Sequence, residues 1–239
     1  MRLDEEYCLS EYVDLGRLGD NEKVHIVRNQ VNGVIGVRKY VALDLEEIYL
    51  FLKENPNAYI PKIYECIQTD TNLIVIEEYL SGKNLEEMLK EKYFSEKDAA
   101  DIIICLCNAL YPLHHAKMPV ICRDLKAENV ILTNEGEVKL VDFDIARIYQ
   151  PGKSKDTVMM GTQGYAAPEQ FGFGQTDART DIYAMGVLLN YMLVREFPME
   201  KLTEGKFRTI VLKCIKINPE DRYQNCLLYT SPSPRDYAA

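Results

Sequence analysis

The stretch Val120-Ile121-Cys122-Arg123-Asp124-Leu125-Lys126-Ala127-Glu128-Asn129-Val130-Ile131-Leu132, followed by Val141-Asp142-Phe143-Asp144, decides how this chain is read. Asp124 is followed by a lysine two residues on, an asparagine five on and a second aspartate eighteen on. Those are the parts that phosphoryl transfer from ATP requires. A carboxylate can orient and deprotonate an attacking hydroxyl, and a lysine can neutralise charge on the moving phosphoryl group. Asn129 and Asp142 offer hard oxygen ligands of the kind Mg²⁺ takes. Between them, Asn129 to Leu132 reads as a short strand, Thr133-Asn134-Glu135-Gly136 as a turn and Glu137 to Val141 as the returning strand. That hairpin would bring Asp124 and Asp142 together.

Further ordered matches lie downstream. Gly161-Thr162-Gln163-Gly164-Tyr165-Ala166-Ala167-Pro168-Glu169 ends in Ala-Pro-Glu, Asp181 to Leu189 reads as a buried helix, and Asp221-Arg222-Tyr223 supplies a late arginine. With Arg123 to Asn129 in the place of H-R-D-L-x-x-x-N and Asp142-Phe143-Asp144 in that of D-F-G, the chain resembles protein kinases, and among them the bacterial eukaryotic-like (Hanks-type) serine/threonine kinases. The resemblance runs from about Tyr12 to Asn225. It implies an α+β fold of two lobes, a β-rich lobe over residues 1–80 and a larger helical lobe over 81–225. It also implies ATP and Mg²⁺ as cofactors, a protein substrate with a Ser or Thr acceptor, and a pairing of Arg222 with Glu169.

Composition agrees. The chain has 239 residues, of which 47% are hydrophobic and 27% charged, enough for a substantial core. A net charge of −9 argues against a nucleic-acid or anionic-membrane surface and is compatible with a basic peptide substrate. The seven cysteines include no C-x-x-C pair, and the three histidines show no zinc spacing, so reduced thiols are expected. No apolar run reaches transmembrane length. The resemblance implies a cytoplasmic kinase domain, with membrane anchoring of the full-length protein left open.

In the first eighty residues, Lys23–Arg28 and Val34–Val41 read as antiparallel strands joined by a turn containing Asn32-Gly33. The resemblance places a phosphate-covering loop at Leu15 to Val24, with Gly16, Gly19 and Val24 as nucleotide contacts. Asp20 and Glu22 put negative charge into that loop. Val37 would contact adenine and Lys39, two residues on along the same strand face, would grip the α- and β-phosphates; a one-residue slip would present Arg38 instead. The carboxylate partner of Lys39 is expected from a helix over Leu43 to Glu54, at Glu47 in preference to Glu46, because Leu50 and Phe51 then share its face. Leu73 to Glu77 reads as a strand, and Glu78-Tyr79-Leu80 matches a kinase hinge whose backbone binds adenine at Glu78 and Leu80. Leu132 completes the nucleotide contacts. Glu77 then stands behind the adenine, either buried and paired, with Lys39 as one partner, or turned to solvent by a bulge.

From Ser95 the chain reads as helical, with Ser95 to Asp98 as an N-terminal cap and Pro112 kinking or ending the helix. The segment from Asp142 to Glu169 carries Ser154, Thr157 and Thr162. By resemblance, Arg123 and Arg147 bind a phosphothreonine there, at Thr157 with Ser154 as the alternative, and Thr162 hydrogen-bonds Asp124 and Lys126. Three features depart from the family pattern. Cys122 replaces a histidine, Asp144 replaces the glycine of D-F-G, and little chain separates Phe197-Pro198 from the helix beginning at Phe207. Cys122 and Asp144 leave a second reading open, a pseudokinase acting as a nucleotide- or partner-binding module. Residues 226–239 cannot sustain the expected closing helix through Ser231-Pro232-Ser233-Pro234. Cys226 to Asp236 instead resembles the translation of a transposon adaptor used in sequencing libraries, so this tail is expected to be non-native, to pack poorly and to conceal whatever follows Asn225.

Overall fold

In the computed structural model the described residues are 3–19, 21–152, 160–172 and 174–226. The chain divides into two compact units, Met1–Ser81 and Gly82–Ala239. The first opens with a helix, α1 (Leu3–Ser10), and is built on strands β1 (Tyr12–Arg17), β2 (Val24–Asn29), β3 (Ile35–Val41), β4 (Ile63–Gln68) and β5 (Leu73–Glu78), with helix α2 (Glu46–Glu54) between β3 and β4. The strands form one antiparallel sheet in the order β1-β2-β3-β5-β4. Asn29 closes the β2–β3 turn, its side-chain oxygen accepting hydrogen bonds from the amides of Val31 and Asn32 at 2.9 and 3.1 Å. The turn chemistry thereby sets the register, which pairs Val37 with Ile26 and Glu77, and Lys39 with Val24 and Val75.

The second unit is mainly helical. Its elements are β6 (Gly82–Asn84), α3 (Leu85–Glu91), α4 (Glu96–His114), β7 (Val120–Ile121), β8 (Val130–Thr133), β9 (Val138–Leu140), β10 (Arg147–Ile148), α5 (Ala178–Val194) and α6 (Lys206–Cys214). Helix α4 starts in a capping box in which the Ser95 hydroxyl accepts from the Asp98 amide and the Asp98 carboxylate accepts from the Ser95 amide, each at 3.1 Å. Pro112 does not stop it at that residue: the helix continues to His114. So near the C-terminus a proline removes a single backbone bond, and the turn is closed by the His115 amide on the Tyr111 carbonyl at 3.1 Å. Helix α5 is buried almost throughout, and α6 crosses it at Gly186, where a Cβ would lie 2.3 Å from that of Cys214. Between Phe197 and Gly205 the chain makes turns and no helix. Among the described residues no helix is long and apolar enough to cross a membrane.

Residues 227–239 of the tail lie outside the described residues. Its first residue, Cys226, is fully buried, contrary to the expectation of poor packing, and its backbone carbonyl accepts from the Cys107 thiol at 3.1 Å. Its thiol in turn lies 3.6 Å from the Cys107 carbonyl, so this residue packs against α4.

Helices α4 and α5 meet at a buried ion pair. His114 Nε2 lies 2.7 Å from Asp181 Oδ2, and both side chains are essentially inaccessible. Burial opposes charge on the ring, but the Asp181 carboxylate, with the Cys226 sulfur, outweighs it and holds the His114 pKa up at about 9 against 6.5. A pKa raised on folding contributes stability that is complete below pH 6.5 and is lost as pH rises through about 9, on the order of 3 kcal/mol in all. Histidine ring titration by NMR should therefore give His114 a midpoint near pH 9. The urea-unfolding advantage of the unsubstituted chain over His114→Asn should shrink across the same interval, and a constant advantage would refute the charged pair.

Candidate active site

In the second unit, β7 leads into the loop 122–126, whose backbone is held from below. The amides of Cys122 and Arg123 donate to the two carboxylate oxygens of Asp181, at 2.9 and 2.8 Å. Those bonds hold Arg123 in the left-handed region at φ 66°, which a non-glycine residue enters only when its surroundings compel it. Cys122 is completely buried, and burial drives its thiol pKa well above the usual range, so it fills its site as a neutral, weakly polar side chain.

Above this anchor four side chains converge. Thr162 donates from its hydroxyl to Asp124 Oδ1 at 2.6 Å, Lys126 Nζ lies 2.7 Å from Asp124 Oδ2 and 3.0 Å from the Thr162 oxygen, and Asn129 donates to Asp124 Oδ2 at 3.0 Å. Asn129 also donates to the Asp124 backbone carbonyl at 2.9 Å. Asp124 is thus fixed in orientation from three sides.

The β8–β9 hairpin forms with Val130 opposite Leu140 and Leu132, half-buried, opposite Val138; Gly136, at φ 86°, makes the turn. At its open end the Val141 amide donates to the Asn129 carbonyl at 2.9 Å, which sets Asp142 beside Asn129 in the fold. Asp142 is itself left-handed at φ 69°, with Phe143 buried behind it and the Asp144 amide donating to Asp142 Oδ1 at 3.1 Å. Asp142 Oδ2 and the Asn129 amide oxygen accept no bond among those found in the described residues. Two unengaged hard oxygens on neighbouring residues fit a divalent metal that takes its other ligands from phosphate and water.

The end of the Asp142–Glu169 segment is tied down twice. Gln170, almost fully buried, donates to the carbonyls of Arg123 and Met160 at 2.9 and 2.8 Å, while Glu169 makes the expected bidentate pair with Arg222 at 2.7 and 2.8 Å. Arg123 also donates to the Ile145 carbonyl at 2.8 Å, and Arg147 of β10 feels its charge: burial first, then Arg123, lowers the Arg147 pKa. The β10–β7 ladder pairs Arg147 with Ile121, two residues before Arg123. Thr157 and Ser154 lie outside the described residues. Asp181 and Gln170 escaped the sequence reading. A carboxylate at the start of an otherwise apolar helix was the signal for the first, whereas Gln170 gave none.

In the first unit, Val24, Val37, Lys39 and Glu77 share one face of the sheet. Arg38 points to the other, 2.5 Å from Asp14. Lys39 is paired, but not with Glu47: its ammonium lies 2.5 Å from Glu77 Oε1, both side chains being largely buried. Glu47 is exposed because α2 buries Ile48, Tyr49 and Leu52, a face that excludes both Glu47 and Leu50. This corrects the expected pairing and leaves Glu77 buried, not turned to solvent. Gly16, at φ 134°, sits at the irregularity in the β1–β2 register, and Gly19, at φ 68°, in the connection between the two strands; Asp20 lies outside the described residues. The Glu78 amide already donates to the Lys62 carbonyl at 2.8 Å, and Leu80 is half-buried just after the strand.

The geometry can be set beside known proteins. The family model described as protein kinase domain matches residues 28–232. Probable serine/threonine-protein kinase PknB of Corynebacterium glutamicum is 38% identical over 130 residues, 53% of this chain and 20% of the relative. Protein kinase C zeta type of Oryctolagus cuniculus is 29% identical over 224 residues, 85% of this chain and 37% of the relative. Probable serine/threonine-protein kinase PBL8 of Arabidopsis thaliana is 32% identical over 183 residues, 75% and 44% of the two chains. The chain spans about a fifth to under a half of the length of these relatives. A family match over most of its length, on a β-rich unit followed by a helical one, establishes that this chain belongs to the protein kinase domain family and has its two-lobed α+β fold.

Proposed function

We propose that this chain is an ATP-dependent serine/threonine protein kinase. The observation that carries the reading is the convergence of Lys126, Asn129 and Thr162 on the carboxylate of Asp124. Asp124 orients the acceptor hydroxyl and takes its proton as the bond to phosphorus forms, while Lys126 offsets the charge that develops on the transferred group. Asn129 and Asp142 would hold Mg²⁺, which when bound supplies electrostatic stabilisation to the phosphates. Lys39 takes the α- and β-phosphates, and Val37 with the backbone of Glu78 and Leu80 takes the adenine. The Lys126–Thr162 contact supports serine or threonine over tyrosine as acceptor. The names of the relatives, all serine/threonine or related protein kinases, support the same class.

Asp144 and Cys122 favour a second reading, a pseudokinase that binds nucleotide or a partner without transfer. Incubation with radiolabelled ATP, Mg²⁺ and a basic protein substrate separates the two. In the kinase, Asp124→Asn and Asp142→Asn should each lower phosphorylation at least ~10³-fold, about 4 kcal/mol of transition-state stabilisation, with circular dichroism unchanged. Residual activity above about a tenth of the unsubstituted chain in either variant would overturn these roles.

The pairing of Arg147 with Ile121, two residues before Arg123, supports a phosphate-dependent switch at Thr157. Mass spectrometry after incubation with ATP should find phosphate on Thr157, or failing that on Ser154, and Thr157→Ala should slow substrate phosphorylation. A fully active chain with an unmodified segment would exclude the switch.

A further inference from the structure

The Lys39–Glu77 pair has a physical origin in strand register. Val37 lies directly opposite Glu77 and Lys39 directly opposite Val75, so Lys39 and Glu77 are diagonal neighbours on one face of the β3–β5 ladder. At that spacing two long side chains meet across the strands without any backbone adjustment. The environment makes the contact compulsory. The Glu77 side chain is 8% exposed and that of Lys39 13%, and a carboxylate so placed must find a cation or give up its charge.

Protein kinases ordinarily hold this lysine with a glutamate from the neighbouring helix, and the position of that helix then decides whether the lysine is in place. Here the helix turns Ile48, Tyr49 and Leu52 inward and leaves Glu47 in solvent. Resting on the kinase reading above, we propose that Glu77, on the same sheet as Lys39, is the positioning residue that holds this lysine for the nucleotide phosphates, in place of a carboxylate of α2. Two consequences follow. Lysine placement is built into the rigid β3–β5 ladder and does not depend on where α2 sits. And the space beside Val37, the residue opposite Glu77, is occupied by an ion pair and not by an apolar side chain, so the pocket behind the base selects for ligands that tolerate a carboxylate.

The test measures ATP and peptide dependence separately. Glu77→Gln preserves shape but removes the charge, and it should raise KM for ATP tenfold or more while leaving KM for the peptide substrate unmoved. The double variant Glu46→Gln/Glu47→Gln should keep KM for ATP within twofold. In a Lys39→Met background Glu77→Gln should have no further effect on ATP dependence, since a positioning residue acts only through the group it positions. Should Glu77→Gln fail to fold by thermal melt, Glu77→Asp, which keeps the charge but shortens the reach, is read in the same assays with an intermediate rise expected. A Glu77 variant within twofold of the unsubstituted chain, a tenfold loss in the α2 double variant, or additive effects with Lys39→Met would each overturn the proposal. ADP binding by calorimetry keeps the two readings apart. Glu77-dependent ADP affinity in a chain that transfers no phosphate would sink the kinase reading and leave the pairing standing, while absence of ADP binding by the unsubstituted chain would sink both.

Discussion

The second unit depends on one buried carboxylate. Asp181 has no exposure to solvent, and it spends its two oxygens on the amides of Cys122 and Arg123 and on the ring of His114. An anion in that position would be ruinous unpaired, and with a cation and two backbone donors it becomes a fixed point. Helix α5 therefore carries the loop 122–126 as though it were part of the helix. Removing the carboxylate would orphan two buried amides and a buried charged ring together, so the cost would exceed that of any single hydrogen bond.

That anchor explains how the loop sustains strain. Arg123 and Asp142 both occupy left-handed backbone conformations, each at a cost of roughly 1–3 kcal/mol for a residue with a Cβ. For Arg123 the opposing forces are the Asp181 bond, the Ile145 carbonyl on its guanidinium and the Gln170 amide on its own carbonyl. For Asp142 the neighbouring Val141 amide is clamped to Asn129 and the Phe143 ring is buried. Strain at these two points aims the carboxylates of Asp124 and Asp142, which lie next to or at the strained residues. Cys122 fits the same economy. With Asp181 taking both amides directly, the side chain at this position need only fill space, and a neutral thiol does so.

In the first unit the organising constraint is register. A β-turn closed by Asn29 puts Val24, Val37, Lys39 and Glu77 on one face, and a shift by a single residue would have presented Arg38 in place of Lys39. Arg38 instead meets Asp14 on the opposite face, where that carboxylate compensates a largely buried, always-charged guanidinium.

The order of chemical groups was legible in the chain itself. Asp124, Lys126, Asn129, Asp142 and Thr162 stand in motifs whose spacing is local, and the β8–β9 hairpin between them is written in β-branched residues and a Gly136 turn. Strand periodicity likewise placed Val37 and Lys39 together, because a two-residue repeat needs no knowledge of the rest of the fold. Helical phase did not yield in the same way. Glu47 with Leu50 and Phe51 made a plausible face, but Ile48, Tyr49 and Leu52 won the core, since burial is decided by what the sheet offers to pack against and not by the helix alone. The sequence offered Glu77 alongside the α2 glutamates as a partner for Lys39 and none for His114 or the loop amides; tertiary packing, which forces each buried charge onto the nearest opposite charge or backbone donor, chose Glu77 and supplied Asp181.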